Sequence, residues 1–290
     1  MNQTMYRKIM IIALIGLTTL FSLSAQEAKR PQIWGIAKMT FLVSDVEVAR
    51  EYYGRFLGFD EAFSYPSPLG TVYSFKVNDR QFLEFVVDKQ TKEKRRLVSL
   101  TLETESVPEM QRYLQSQGAE TTQITTDGAG NEVFVTQDAW GNPVEFISLK
   151  ADGLHRKSKG KFLSENRISK RIHHAGLYSG KFDENDPFWV GVLKCREIVR
   201  YPLDKSEPGV IQYLDLGDCT ENIEHYATID ENFSHPCFLV DDMQETIYTL
   251  KERGGQPVGR PSIGRTKRWL LNLVNPDNTR VEFTEPYCIK

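Results

Sequence analysis

The chain has 290 residues, which is enough for two domains of ordinary size, and its formal net charge is −3. This weakly acidic balance argues against a nucleic-acid-binding protein, which would carry an excess of basic residues. The four cysteines all lie after residue 190, and their spacing is unlike that of a thiolate zinc site. We therefore expect buried thiols or a single structural disulfide.

Residues 1–25 are typical of a secretory signal peptide. Arg7 and Lys8 precede an apolar run over 10–21 that is too short to span a bilayer, and small residues follow up to Ala25. We expect cleavage after Ala25, which makes the protein secreted or periplasmic with no membrane span after cleavage. An uncleaved anchor is the alternative.

The alternation of residues 33–150 predicts two copies of a βαβββ module. The first copy opens with a strand that carries Lys38, and a helix over 46–57 and three short strands follow it. The second copy opens near Leu97 and continues through a helix with Pro108 in its first turn. The segment 33–150 is therefore predicted to be one domain.

Residues 151–170 interrupt this pattern. Together with the flanking residues 150 and 171 they contain eight basic and two acidic side chains, with little apolar periodicity. Such a composition is typical of an exposed linker, with at most one helical turn.

Residues 171–287 repeat the two modules. The third module opens with the strand that carries His174, and its helix begins at Asp186 as N-cap. The fourth opens with the strand that carries His235, and its helix begins with a capping box at Asp242 and Glu245. The segment is therefore predicted to be a second domain.

The two halves differ in the side chains at equivalent points of the modules. The second half has two histidines and two glutamates there, and the first half has none of these histidines. The sets are His174, Glu224, His235 and Glu282 in the second half, and Lys38, Glu84, Ser99 and Glu145 in the first. Two imidazoles and two carboxylates suit one divalent ion, namely Zn, Fe, Mn, Ni or Co.

Four stretches carry a resemblance to a known family. They are MTFLVSDVEVAREYYGRFLGF, SHPCFLVDDMQETIYTLKERGG, GNPVEF and NTRVEF. They resemble the vicinal oxygen chelate superfamily, which includes glyoxalase I, methylmalonyl-CoA epimerase, extradiol dioxygenases, and bleomycin- and fosfomycin-resistance proteins. The resemblance implies an α+β fold in which four βαβββ modules form two tandem domains with curled, mixed β-sheets.

The resemblance also implies where the site lies. In this family the metal ligands come from the first and last strands of each module, which assigns His174, Glu224, His235 and Glu282 to one divalent metal ion. Glu282 or Glu224 would also serve as the base, and the sequence does not choose between them. The neighbouring His173 and His225 are expected on the opposite face of their strands, as packing or surface groups.

Tyr178 and Tyr226 are two further candidates in the second domain. Tyr178 shares a strand face with His174, and Tyr226 shares one with Glu224. Each would orient a substrate oxygen, donate a proton, or simply form an aromatic wall of the cavity.

Three functions remain open. The first is glyoxalase-like lyase or isomerase chemistry on a small substrate with vicinal oxygens. The second is an extradiol-type dioxygenase with Fe²⁺ on His174, His235 and Glu282. Against it, Asn272 stands near the place of a tyrosine that the resemblance requires, and residues 263–265 lack the expected histidine. The third is a small-molecule binding protein without catalysis.

Overall fold

The structure is a computed structural model that describes residues 29–91, 95–180 and 186–289. The predicted signal peptide, residues 1–25, lies outside the described residues. Within the described ranges, no helix is both long enough and apolar enough to cross a membrane.

The first half of the chain forms an eight-stranded mixed sheet with the strand order β2-β3-β4-β1-β5-β8-β7-β6. Its strands are β1 (Ile33–Val43), β2 (Asp60–Ser67), β3 (Gly70–Lys76), β4 (Phe82–Val87), β5 (Leu97–Thr104), β6 (Thr125–Thr126), β7 (Glu132–Gln137) and β8 (Pro143–Ser148). Its helices are α1 (Val46–Ala49, which continues as a π-helical turn, Arg50–Phe56) and α2 (Val107–Ser116), and a short helix, α3 (Leu154–Lys157), follows the sheet.

The second half forms a sheet with the equivalent order, β10-β11-β12-β9-β13-β16-β15-β14. Its strands are β9 (Ile172–Tyr178), β10 (Arg196–Tyr201), β11 (Ile211–Asp215), β12 (Asn222–Tyr226), β13 (His235–Leu239), β14 (Ser262–Ile263), β15 (Trp269–Val274) and β16 (Arg280–Thr284). Its helices are α4 (Pro187–Val192, π-helical) and α5 (Met243–Arg253). The predicted fold class, with four βαβββ modules in two curled mixed sheets, is confirmed.

Strand register establishes which positions of the two sheets are equivalent. In each sheet the first strands of the two modules pair antiparallel at the centre, and the last strand of each module pairs parallel with the first. Between the first strands of the two modules, Thr40 pairs with Ser99 in the first domain as Gly176 pairs with His235 in the second. Between the first and last strands of a module, Thr40 pairs with Glu84 as Gly176 pairs with Glu224. In the other module of each domain, Thr101 pairs with Glu145 as Cys237 pairs with Glu282. The predicted correspondence of the two sets of four residues is therefore present in the fold.

The two domains are packed into one unit by reciprocal turns. The last hairpin turn of the first domain reaches the second domain, where the Asn142 side-chain amide donates to the Tyr178 carbonyl at 2.7 Å. The last hairpin turn of the second domain reaches back, where the Asp277 carboxylate accepts from the Ser44 backbone amide at 2.8 Å. A continuous hydrophobic core that contains residues of both domains lies between them.

The four cysteines are free thiols, and Cys195 and Cys237 are buried. Of the two expected alternatives, buried thiols or a single structural disulfide, the structure has thiols, although Cys219 is half-buried and Cys288 is exposed.

The prediction of an exposed linker over 151–170 is wrong at α3. His155 is 1% exposed, its Nε2 lies 3.0 Å from Glu84 Oε1, and its Nδ1 lies 3.0 Å from the Asn131 side-chain nitrogen. The buried Lys76 ammonium donates to the Ser158 carbonyl at 2.5 Å and to the Lys161 carbonyl at 2.9 Å. Composition averages over this segment conceal the few side chains that dock into the first domain.

We expect His155→Ala to lower the free energy of unfolding by about 2–3 kcal/mol, because it removes a buried hydrogen bond to an ionised carboxylate and leaves a cavity. Chemical denaturation measures this difference. The control is Lys157→Ala in the same helix, where the side chain is exposed and little change is expected. Equal unfolding free energies for the two variants would contradict the docking of α3.

Candidate metal centre

Four buried side chains of the second sheet converge on one point. His174 comes from β9 and His235 from β13, the two central strands, while Glu224 and Glu282 come from the flanking strands β12 and β16. They are 2%, 0%, 3% and 1% exposed, respectively. His174 Nε2 lies 3.6 Å from Glu224 Oε2 and 3.6 Å from Glu282 Oε1. His235 Nε2 lies 3.5 Å from Glu224 Oε2 and 3.7 Å from Glu282 Oε2.

The atoms at this point have no hydrogen-bond partners. They are His174 Nε2, Glu224 Oε2, His235 Nε2 and Glu282 Oε1, and each is buried. Buried polar atoms are nearly always paired, so four unpaired atoms around one point require an explanation. Imidazole nitrogens and carboxylate oxygens are the donors that a borderline divalent cation prefers, so the four residues fit such an ion.

The other polar atoms of these side chains, which face away from the centre, are hydrogen-bonded to neighbouring groups. His235 Nδ1 lies 2.8 Å from the Phe233 carbonyl, which fixes its proton on Nδ1 and leaves a lone pair on Nε2. Tyr213 donates its hydroxyl to Glu224 Oε1 at 2.9 Å, and Arg280 donates to Glu282 Oε2. Each ligand is therefore oriented with one donor atom left for the centre.

His173 lies on the same side as His174, so the prediction that it faces away is wrong. Cys237 pairs with His174, and the next pair joins Phe238 to Ile172, so His173 is the extra residue of a β-bulge. Its Nδ1 lies 2.9 Å from His174 Nδ1. Burial lowers the pKa of His173 to about 3, so it is neutral at pH 7 and can accept the His174 Nδ1 proton.

His225 is on the opposite face, as expected. It is fully buried, with ring centroids 4.9 Å from Trp140 of the first domain and 5.9 Å from Trp189. Burial lowers the pKa of His225 to about 3. This histidine therefore packs at the domain interface as a neutral ring and does not reach the candidate metal centre.

Gly176 makes the room that the His235 ring requires. A Cβ on Gly176 would lie 2.1 Å from His235 Cε1, because the two residues face each other across β9 and β13. No other residue type fits at this position without displacing the imidazole.

Neither predicted tyrosine contacts one of the four candidate ligands through its hydroxyl among the described residues. The Tyr178 ring contacts the Arg95 guanidinium at 5.3 Å, and the Tyr226 ring stacks on Phe233 at 4.8 Å. The tyrosine that contacts a candidate ligand is instead Tyr213, which the sequence analysis missed. Tyr213 lies directly opposite Glu224 in the β11–β12 pair, and this register is set by tertiary structure. A catalytic role for Tyr178 or Tyr226 stays a prediction.

The two glutamates have different electrostatic surroundings. Burial acts to raise the pKa of Glu282, but His235, His174 and Arg280 outweigh it and hold the pKa well below its usual range. Burial likewise acts to raise the pKa of Glu224, where His174 outweighs it, while the nearby Glu282 carboxylate opposes that lowering. Both are carboxylates at neutral pH, and Glu282 has the stronger positive neighbour.

A small cavity of about 150 Å³ reaches the centre from one side. Its lining includes His173, His174, Tyr213, Arg268 and Leu270. A cavity of this size suits a compact ligand that contacts His174 directly.

The first domain has an internal ammonium at the equivalent point. Lys38 Nζ lies 3.1 Å from Glu84 Oε2, 3.2 Å from Glu145 Oε1 and 3.2 Å from the Tyr65 hydroxyl. Burial acts to lower the pKa of Lys38, but Glu145 and Glu84 outweigh it and raise that pKa well above its usual value. The protonated lysine thus neutralises charge where the second domain has two imidazoles.

Comparison with family models gives a match in the first half of the chain. The model of the glyoxalase/bleomycin resistance protein/dioxygenase superfamily matches residues 35–146, which is most of the first domain. The second domain repeats the same strand order and register. No curated protein sequence matches the chain.

Solved structures of superfamily enzymes share the fold over both domains. A variant of homoprotocatechuate 2,3-dioxygenase from Brevibacterium fuscum has a TM-score of 0.67 and 16% identity, covering 89% of this chain and 72% of that one. The complex of the B. fuscum enzyme with 3,4-dihydroxyphenylacetate has a TM-score of 0.65 and 16% identity, covering 89% and 82%. The Arthrobacter globiformis enzyme has a TM-score of 0.66 and 15% identity, covering 89% and 81%. At such identities the likeness concerns the fold alone.

We expect Gly176→Ala to weaken divalent-metal binding by at least about tenfold, because the added methyl displaces the His235 ring without removing a donor atom. Isothermal titration of chelator-treated protein with Zn²⁺ measures the affinity. Gly191→Ala is the control, since a Cβ there meets its nearest neighbour at an ordinary 3.5 Å. Unchanged affinity in a folded Gly176→Ala variant would contradict the placement of His235 at the centre.

We expect Tyr213→Phe to weaken metal binding by about 10–100-fold, because Glu224 loses the hydrogen bond that orients it. Tyr226→Phe removes a hydroxyl that contacts none of the four candidate ligands among the described residues, and it should leave the affinity unchanged. A larger loss for Tyr226→Phe than for Tyr213→Phe would reverse this assignment.

Proposed function

We propose that the second domain is a divalent-metal enzyme with glyoxalase-like lyase or isomerase chemistry on a small substrate with vicinal oxygens. The observation that carries the proposal is the set of four buried, unpaired donor atoms, which includes one oxygen from each glutamate. A bound divalent cation supplies Lewis-acid stabilisation of negative charge on a substrate oxygen.

Glu224 is the better candidate for the base. Its Oε1 accepts from the neutral Tyr213 hydroxyl, whereas Glu282 Oε2 accepts from the permanently charged Arg280. Burial, together with Glu224, raises the pKa of Tyr213 well above its usual value, so Tyr213 keeps its proton and holds Oε1. Glu224 would therefore have two roles: its Oε2 would hold the ion in the resting site and, once released, would accept a proton from substrate carbon, while Glu282 would remain a ligand.

An extradiol-type dioxygenase is the second candidate. His174, His235 and Glu282 bring their ligand atoms within 4.8 Å of one another, which matches the two-histidine, one-carboxylate set for non-haem iron. Two features favour the first candidate instead. Glu224 adds a fourth donor atom. Asn272 stands near the place where a dioxygenase would require a tyrosine, and it is an exposed residue whose side-chain oxygen accepts from Arg280 at 2.7 Å.

Export is part of the same proposal. The basic start and the apolar run before Ala25 support signal cleavage and transport. The substrate would then lie outside the cytosol and would be a compound other than a glutathione adduct. Mass determination of the protein from a secretion-competent host should give a chain that begins at residue 26. A full-length chain in the cytosol would contradict export.

The decisive experiment is elemental analysis of protein purified without chelator or affinity tag under nitrogen. We expect about one Zn, Mn, Ni or Co ion per chain, as for a single buried site with four donors. His174→Ala and His235→Ala should each abolish the metal. His155→Ala is the matched control, because it removes a buried histidine beside a glutamate in the other domain. Stoichiometric metal in either His174→Ala or His235→Ala would overturn the site.

Activity then separates the two candidates. Oxygen uptake with 3,4-dihydroxyphenylacetate, together with stoichiometric iron, would favour the dioxygenase over the proposal. Isomerisation of thiol adducts of small 2-oxoaldehydes without oxygen uptake supports the proposal, and Glu224→Gln should then lower kcat by at least about 100-fold. Absence of metal even after loading would leave only a binding protein.

A further inference from the structure

The first domain contains a larger cavity than the candidate metal centre. It encloses about 590 Å³ on the sheet face that carries Lys38, Glu84 and Glu145. This volume is within the range of roughly 300–1,000 Å³ that is typical of small-molecule sites. Its walls are largely apolar and include Leu69, Val72, Val86, Val133 and Val135.

Strand β6 and the turn that follows it form part of the wall of this cavity. Residues 125–128 line it, and Gly128 packs against β2 so closely that a Cβ there would lie 2.0 Å from the Pro66 carbonyl oxygen. The close approach requires glycine, so this part of the cavity wall is built into the fold.

Lys38 and Glu84 are buried and bonded to other side chains of the domain, so neither is free for a ligand. The three N–H groups of Lys38 face Glu84, Glu145 and the Tyr65 hydroxyl. Glu84 Oε1 is bonded to His155, and Glu84 Oε2 accepts from Tyr65 at 2.6 Å. Both groups therefore form a closed network under the cavity.

Glu145 is the carboxylate of the cavity lining that can still accept a hydrogen bond. Its Oε1 accepts from Thr101 at 3.0 Å and faces Lys38 at 3.2 Å. Among the described residues no hydrogen bond reaches its Oε2, and 14% of the side chain is exposed to the cavity. Glu145 thus lines the cavity with one carboxylate oxygen that has no partner among the described residues.

The charges around the cavity do not balance. Three carboxylates line it, from Glu84, Glu145 and Asp127, and Lys38 is the one cation among the described lining residues. His155 adds at most one further positive charge. The lining therefore retains at least one negative charge in a partly apolar enclosure, where an opposite charge interacts more strongly than in water.

We propose that this cavity binds a small organic cation, an ammonium group on an apolar body, with Glu145 Oε2 as its acceptor. The ammonium donates to the open carboxylate oxygen in a charge-assisted hydrogen bond. The apolar body lies along the valine side chains of the walls. An anion is disfavoured, because the single lysine is already bonded to two carboxylates and a phenol. The site is separate from the metal centre, so it adds a second ligand to the protein.

The test is calorimetric titration of the purified protein with phenethylamine, and with 2-phenylethanol and 3-phenylpropionate as neutral and anionic counterparts. We expect one phenethylamine per chain, bound at least about tenfold more tightly than either counterpart. Glu145→Gln should weaken phenethylamine by at least about tenfold while leaving 2-phenylethanol unchanged.

Two further variants keep the outcome clear. Glu282→Gln makes the same change at the equivalent position of the second domain, so it should retain phenethylamine binding while weakening metal binding. Val98→Trp places a large side chain in the cavity wall and should abolish phenethylamine binding while Glu145 is intact. This variant tests the location of the site even if Glu145→Gln fails to fold.

Three results would overturn the proposal. They are equal affinities for the three probes, unchanged phenethylamine affinity in folded Glu145→Gln, and absence of phenethylamine binding. None of them bears on the metal centre, which elemental analysis tests separately.

Discussion

Two glutamates on one face of each sheet impose the constraint on which the rest of this protein depends. The last strand of each module places one carboxylate beside the central strand pair, so each domain encloses two negative charges that need compensation. In the first domain Lys38 supplies the positive charge from within the chain. In the second domain His174 and His235 offer lone pairs instead, and the divalent cation that we propose there would provide the missing charge.

The surroundings of each site follow from that difference. Around Lys38 the chain closes a network of hydrogen bonds and adds His155 from the segment after the sheet, so this centre is complete by itself. Around the candidate metal centre, Tyr213, Arg280 and the Phe233 carbonyl bond only the outer atoms. The inner atoms stay unpaired, which is costly unless a ligand is part of the folded state.

The same asymmetry leads us to propose different ligands for the two domains. The first domain retains a roomy cavity with an excess of carboxylates and suits an organic cation, while the second has a small cavity beside four donor atoms. Reciprocal hairpin turns and a shared core hold the two domains together. Neither site includes residues from the other domain's sheet among the described contacts, so each can be altered without removing the other.

The sequence by itself determined the repeat, the α+β class and the four candidate ligands of the second domain. Strand alternation and helix caps are local signals, and a fourfold repeat aligns equivalent positions without a structure. Tertiary structure decided what depends on register and long-range contact. A β-bulge brought His173 to the side of His174, strand pairing set Tyr213 against Glu224, and docking of α3 buried His155 in a segment of basic composition. Local periodicity does not encode a bulge or a partner far away in the chain, because both are fixed only when the strands pair and pack.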